Sequence, residues 1–118
     1  LKKKGKKLEN ANVVILGLAY RPYIKETINS PTLDMVKILK EKGANVSVFD
    51  PMFTREEVKR ITGVKSGDFE ALLKEADCII ISTMYEMFND LREKADSNCI
   101  VIDGRNKLKK NADKSIGR

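Results

Sequence analysis

Four short apolar runs punctuate this chain: Val13–Leu16, Val46-Ser47-Val48-Phe49, Cys78–Ser82 and Ile100–Ile102. Val13–Leu16 is unbroken in its apolar character, as expected for a strand covered on both faces rather than one. Between the runs the periodicity changes to that of helices. Ser30 is a good N-cap and Pro31 a good first helical residue. Leu33, Val36 and Leu39, flanked by Met35 and Ile38, give the helix that follows an apolar side, and Gly43 stops it. Thr54 can cap a short charged helix from Arg55 to Ile61 that ends at Gly63. Phe69 to Ala76 predicts another, with Phe69, Leu72 and Leu73 inward, and Phe88 to Lys94 a last helical piece.

The element order is β-α-β-α-α-β-α-β. Strands separated by helices require crossover connections, which places them side by side and parallel. The predicted fold class is therefore α/β, a three-layer, mostly parallel, doubly wound Rossmann-like sheet. In such sheets ligands bind just beyond the carboxyl ends of the strands. The first strand delivers a long polar loop to that edge, and the loop carries Arg21, whose planar guanidinium suits phosphate or carboxylate.

Glycine after the first strand invites a dinucleotide-binding reading, and the next residues argue against it. A G-x-G-x-x-G turn needs a second glycine so that backbone can approach a pyrophosphate, and a helix that starts at once. This chain reads Gly17-Leu18-Ala19-Tyr20-Arg21-Pro22, and twelve residues, Leu18 to Asn29, precede the cap at Ser30. Pro22 lacks an N–H and disfavours helix at Arg21. Asp50, ending the second strand, resembles the acidic ribose partner of dinucleotide folds. Without the glycine turn it reads as a helix cap or a loop ligand. The sheet lacks the dinucleotide glycine turn.

Composition changes this picture little. A 118-residue chain with 42% hydrophobic and 34% charged residues suits one soluble globular core. No apolar run approaches the roughly 18 residues of a membrane span, and none resembles a signal peptide, so no membrane partner is expected. The net charge of +6 points to nucleic acid only until it is located. Residues 1–11 carry +4 and residues 105–118 carry +5, leaving −3 on the body between them. A nucleic-acid-binding face should place its cations on the folded body. Solvated tails explain the ends, and no nucleic acid is expected as a partner. The chain begins with Leu1, which suggests a processed product or a piece of something longer.

Cys78 and Cys99 each open an apolar run, where a buried thiol behaves as a small hydrophobe. Their spacing fits no Cys-x-x-Cys pattern, and no histidine is present to complete a zinc site or a Cys-His nucleophile pair. Both are read as structural, in a reducing cytoplasm, with no metal site.

At the loop residues a family resemblance becomes specific. Gly17-Leu18-Ala19-Tyr20-Arg21-Pro22, Glu26 and Ser30-Pro31 resemble the G-L-A-F-K-P-x-x-x-D-x-R-x-S-P signature of the nucleotide-sugar dehydrogenases. Gly43-Ala44-Asn45-Val46 through Phe49-Asp50-Pro51 is similar to the family's G-A-x-V-x-x-Y-D-P. Ala76-Asp77-Cys78 through Ser82-Thr83, then Phe88, resembles A-D-x-x-x-x-x-T-x-W-x-x-F, and Ile102-Asp103-Gly104-Arg105-Asn106 resembles its D-G-R element. The likeness runs from about residue 8 to 108.

The resemblance implies the C-terminal, UDP-binding domain of the UDP-glucose/GDP-mannose dehydrogenase family. Such enzymes oxidise UDP-glucose, UDP-N-acetylmannosamine or GDP-mannose to uronic acids for polysaccharide biosynthesis. Two hydride transfers to NAD proceed through a thiohemiacetal and a thioester on a cysteine of the central region. By this resemblance NAD belongs to an N-terminal domain absent from the chain, and this chain holds no catalytic and no cofactor-binding residue. It would bind a UDP-sugar or GDP-mannose, act with the N-terminal and central domains of the same enzyme, and be inactive alone. The full enzyme would be a homodimer or larger. Residues 1–11 would be a linker or the tail of an upstream helix, 12–108 the nucleotide-sugar-binding domain, and 109–118 a basic tail.

Site residues carried over from the resemblance are Tyr20 and Arg21, at the Phe-Lys positions, and Arg105, which would reach the nucleotide. Glu26, Ser30 and Asp103 are expected to support the loops. The alternatives are a surface Arg21 held by Glu26 and an Arg105 paired with Asp103. Ser30 reads as a helix cap first. Three departures mark the chain as divergent: Glu26 replaces aspartate, Ile28 replaces arginine, and Tyr85 replaces tryptophan while keeping an aromatic surface. Two other functions fit the fold: a stand-alone nucleotide-binding or regulatory α/β module, and a nucleic-acid-binding domain using the basic ends.

Overall fold

The structure, a computed structural model, describes residues 9–19, 27, 30–95, 98–103 and 114–115. Its strands are β1 (Asn12–Leu16), β2 (Asn45–Phe49), β3 (Cys78–Ile81), β4 (Ile100–Asp103) and the two-residue β5 (Lys114–Ser115). They form one sheet in the order β2-β1-β3-β4-β5, and each pairing is parallel. The chain moves from β1 to one side for β2 and to the other for β3, so the order reverses between β1 and β3. Parallel strands leave a crevice at such a reversal, outside their carboxyl ends. In register, Leu16 stands beside Phe49 and Ile81, and Ile81 beside Asp103, so four strands end at one level.

Alternation of side chains along the strands divides the core into two layers. Val13 and Ile15 face one side, with Val36 and Leu39 of α1 (Pro31–Glu41) and Val58 of α2 (Arg55–Thr62). Val14 and Leu16 face the other, with Leu73 of α3 (Phe69–Glu75) and Leu91 of α4 (Leu91–Lys94). Both faces of the sheet are covered, which is why β1 and β3 read as near-continuous apolar runs. Fully buried side chains such as Ile79 and Ile81 each stabilise the fold by about 1.5–3 kcal/mol relative to exposure. An aromatic cluster of Phe49, Phe69, Phe88 and Tyr85 fills the second layer near the carboxyl edge, with centroid separations of 5.0 to 6.5 Å.

The helix boundaries follow local chemistry. Ser30 caps α1 by accepting from the Thr32 amide, and Gly43 reverses the chain after it with φ +86°. Thr54 opens α2 with a reciprocal capping box to Glu57. Asp68, which the sequence reading passed over, caps α3 through the Ala71 amide. Where one helical piece was expected from Phe88 to Lys94, a 3-10 turn at Glu86–Phe88 ends at Phe88 and the short α4 follows after a break. Asn89 and Asp90 lie between them, residues that favour turns by competing with helical hydrogen bonds. β5 falls inside the stretch assigned above to a basic tail. On the other sheet edge, Lys65 bridges Ser47 and accepts the Val48 amide at 3.0 Å, covering part of β2. Among the described residues no helix is long and apolar enough to cross a membrane.

Candidate functional site

The crevice at the carboxyl edge is built around the turn Gly17-Leu18-Ala19. Gly17 has φ +106°, a region that favours glycine, and it lies directly against Thr83 of the segment after β3. Every backbone polar group of the turn has an internal partner. The Gly17 amide donates to the Phe49 carbonyl at 2.7 Å. The Leu18 and Ala19 amides both donate to Asp50 Oδ2, at 2.7 and 3.1 Å. The three carbonyls accept from three hydroxyls: Gly17 from Thr32 (2.5 Å), Leu18 from Ser30 (2.6 Å) and Ala19 from Thr83 (2.5 Å).

Asp50 is the hub of this arrangement. Its carboxylate is 1% exposed, and its second oxygen accepts from the Met52 amide at 2.8 Å and the Tyr85 hydroxyl at 3.0 Å. Burying a carboxylate is costly unless several donors replace water, and four do so here. Of the two roles expected for Asp50, helix cap or loop ligand, it takes the second, and it also closes the turn at the end of β2. In a dinucleotide fold, turn amides in this place point at a pyrophosphate. Here an internal anion occupies them. NAD does not fit this turn, since no amide of Gly17, Leu18 or Ala19 is left to donate.

The site residues named from sequence divide into two groups. Ser30 is buried, caps α1 and donates to Leu18, so it ties the far end of the loop to its beginning. Asp103 is fully buried at the end of β4, level with Ile81. Tyr20, Arg21, Glu26 and Arg105 lie outside the described residues, as does Ile28. Ala19 and Asp103, which directly precede Tyr20 and Gly104 in the sequence, both lie at the carboxyl edge of the sheet. Tyr85 does more than keep an aromatic surface: it is buried, packs edge-on against Phe88 at 5.6 Å, and reaches Asp50. Sequence reasoning missed Thr32 and Thr83. Their signal was available, since a long loop leaving a buried strand must satisfy its carbonyls somewhere. Ser82 Oγ, next to Thr83, is buried without a hydrogen-bond partner among the described residues. Cys78 and Cys99 are buried thiols packed into opposite layers of the core.

The sequence profile described as UDP-glucose/GDP-mannose dehydrogenase family, UDP binding domain, matches residues 14–110. The chain belongs to that family. Among its relatives, a UDP-N-acetyl-D-mannosamine dehydrogenase of Methanococcus maripaludis is 29% identical over 93% of this chain and 26% of its own length. A UDP-glucose 6-dehydrogenase of Rickettsia bellii is 32% identical over 93% of this chain and 27% of its own. The solved UDP-glucose dehydrogenase of Pyrobaculum islandicum superposes with a TM-score of 0.77 at 29% identity, over 99% of this chain and 27% of that one. This UDP binding domain therefore spans about a quarter of the length of the curated relatives it matches.

Proposed function

We propose that this chain is the C-terminal, substrate-binding domain of an NAD-dependent nucleotide-sugar 6-dehydrogenase. Its ligand would be a UDP-sugar such as UDP-glucose or UDP-N-acetylmannosamine, or GDP-mannose, and the whole enzyme would convert it to the uronic acid for polysaccharide biosynthesis. The carrying observation is the occupation of the Leu18 and Ala19 amides by Asp50 in a chain of this family. It supports a clamp of side chains on a nucleotide sugar and argues against an NAD grip.

In this reading Tyr20, Arg21 and Arg105 contact the ligand. The two guanidiniums supply forked donors to phosphate, and Tyr20 an amphipathic surface. Glu26, Ser30 and Asp103 support the loops, with Ser30 acting through Leu18. NAD and the reactive cysteine would come from N-terminal and central domains, and the assembled enzyme would be a dimer or larger. Residues 12–108 would form the binding domain, 1–11 a linker or helix tail, and 109–118 a basic tail. Two buried thiols fit a reducing cytoplasm.

The test is calorimetric titration of the full-length protein with UDP, UDP-glucose, UDP-N-acetylmannosamine and GDP-mannose. At least one nucleotide sugar should bind, and Arg105→Ala should weaken it about tenfold or more, the equivalent of one charge-assisted contact. Binding that is absent, or indifferent to both Arg105→Ala and Arg21→Ala, would overturn the assignment.

A further inference from the structure

We propose that the groove between α2 and residues 65–66 is a second anion site, one that takes linked phosphates such as a pyrophosphate or a short oligophosphate. The inference goes beyond the nucleotide-sugar reading and does not depend on it.

The groove has a volume of about 460 Å³ and is lined by Arg55, Glu56, Lys59, Arg60, Lys65 and Ser66. Two elements meet in it. Gly63 turns the chain after α2 with φ +81°, and Lys65 then bridges Ser47 on the outer edge of β2. This reversal brings a cation of the returning segment to the same groove as three cations of α2. Four cations against Glu56 leave +3 on the lining, whereas the body as a whole carries −3. None of the six lining residues is bonded to the turn Gly17–Ala19, so the groove is not part of the network at the crevice.

Helix chemistry explains only part of this charge. Lys59 and Arg60 lie in the last turn of α2, where the macrodipole favours cations, and Lys59 Nζ donates to the Gly63 carbonyl at 3.1 Å. Arg55 has no such reason. It is the first residue of α2, at the end that favours anions, and it stands one turn from Lys59, where like charges repel. All four cations are exposed, and among the described residues none is in an ion pair. An anion in the groove turns this repulsion into attraction.

The lining also selects the anion. Two guanidiniums offer forked donors that match phosphate oxygens, and two ammoniums add compact charges. Two linked phosphates carry about −3 near neutral pH, the counterpart of the groove's charge. No aromatic side chain lines the groove, so nothing in it stacks on a base. The phosphates are held and a nucleoside is not read.

The experiment is calorimetric titration of the full-length protein with pyrophosphate at about 0.15 M ionic strength, where scattered surface charges are largely screened. Two double variants remove the same amount of charge. Arg60→Gln with Lys65→Gln takes one cation from each element of the groove. Lys37→Gln with Lys40→Gln takes two exposed lysines of α1 that do not line it. All four side chains are exposed, so both variants should keep the fold. We expect pyrophosphate affinity to fall about tenfold or more in the groove variant and less than about twofold in the α1 variant. UDP is titrated into the same proteins to separate two sources of linked phosphate. Unchanged UDP affinity in the groove variant identifies a free oligophosphate as the occupant, and a parallel fall identifies the diphosphate of a nucleotide at the same site. No pyrophosphate binding by the wild type, equal losses in the two variants, or wild-type affinity in the groove variant would overturn the proposal. So would tighter binding of hexaglutamate than of pyrophosphate, which would mark the groove as a seat for an acidic peptide.

Discussion

Gly17 packs so closely on Thr83 that a Cβ added to it would stand 2.8 Å from the Thr83 Cα and nearer still to its backbone nitrogen. The same Thr83 donates its hydroxyl to Ala19, so the turn after β1 and the segment after β3 are held together at the strand-order reversal. Neither backbone can retreat cheaply, because the Ser82 and Thr83 amides are both bonded to Leu16. Gly17→Ala should therefore combine an unfavourable positive φ with overpacking, at a cost of about 2–5 kcal/mol. Urea unfolding of the pair checks this, and a difference below about 0.5 kcal/mol, the scale of an ordinary surface change, would refute the close contact.

Two buried hydroxyls should respond to removal with opposite signs. Thr32 donates to the Gly17 carbonyl, so Thr32→Val leaves that buried acceptor alone and should destabilise by about 1–3 kcal/mol. Ser82 Oγ has no partner among the described residues. Removing an unpaired buried hydroxyl relieves a desolvation cost, and Ser82→Ala should raise stability by about 1 kcal/mol. Thermal unfolding of both variants decides the matter. A loss of stability in Ser82→Ala would mean that the hydroxyl has a partner after all.

The capping box at α2 is an exposed, local feature that makes no bond to the turn Gly17–Ala19 among the described residues. Thr54 accepts from the Glu57 amide at 3.1 Å, and the Glu57 side chain accepts from the Thr54 amide at 2.8 Å. Thr54→Ala should lower stability by about 1 kcal/mol. UDP affinity should stay the same, and a change in affinity at matched folding would show that α2 communicates with the crevice.

Much of this architecture was legible in the sequence because the deciding signals are local. The unbroken run Val13–Leu16 announced a doubly covered strand, and Ser30-Pro31 and Gly43 marked both ends of α1. The absence of a second glycine after Gly17, with Pro22 close behind, excluded a dinucleotide turn from residue types alone. The hub was legible only in outline. Asp50 was recognisable as a loop ligand, yet its partners Leu18 and Ala19 lie about thirty residues away in sequence and Tyr85 thirty-five. Such distant pairings are set by strand order, which periodicity does not encode. The split between the 3-10 turn and α4 was missed because Phe88, Leu91 and Lys94 keep helical spacing across Asn89-Asp90, where the backbone does not. Tyr85 was read by its ring, whereas its hydroxyl is what ties it to Asp50.

NADH formation by the full-length protein tests the central claim most directly. With UDP-glucose, UDP-N-acetylmannosamine or GDP-mannose supplied in limiting amount, two NADH should form for each nucleotide sugar consumed, as oxidation of an alcohol to a carboxylate requires. Arg105→Ala should raise KM more than it lowers kcat, the pattern of a lost binding contact. No NADH from any of the three nucleotide sugars, or turnover with an unchanged KM in both Arg105→Ala and Arg21→Ala, would contradict the account.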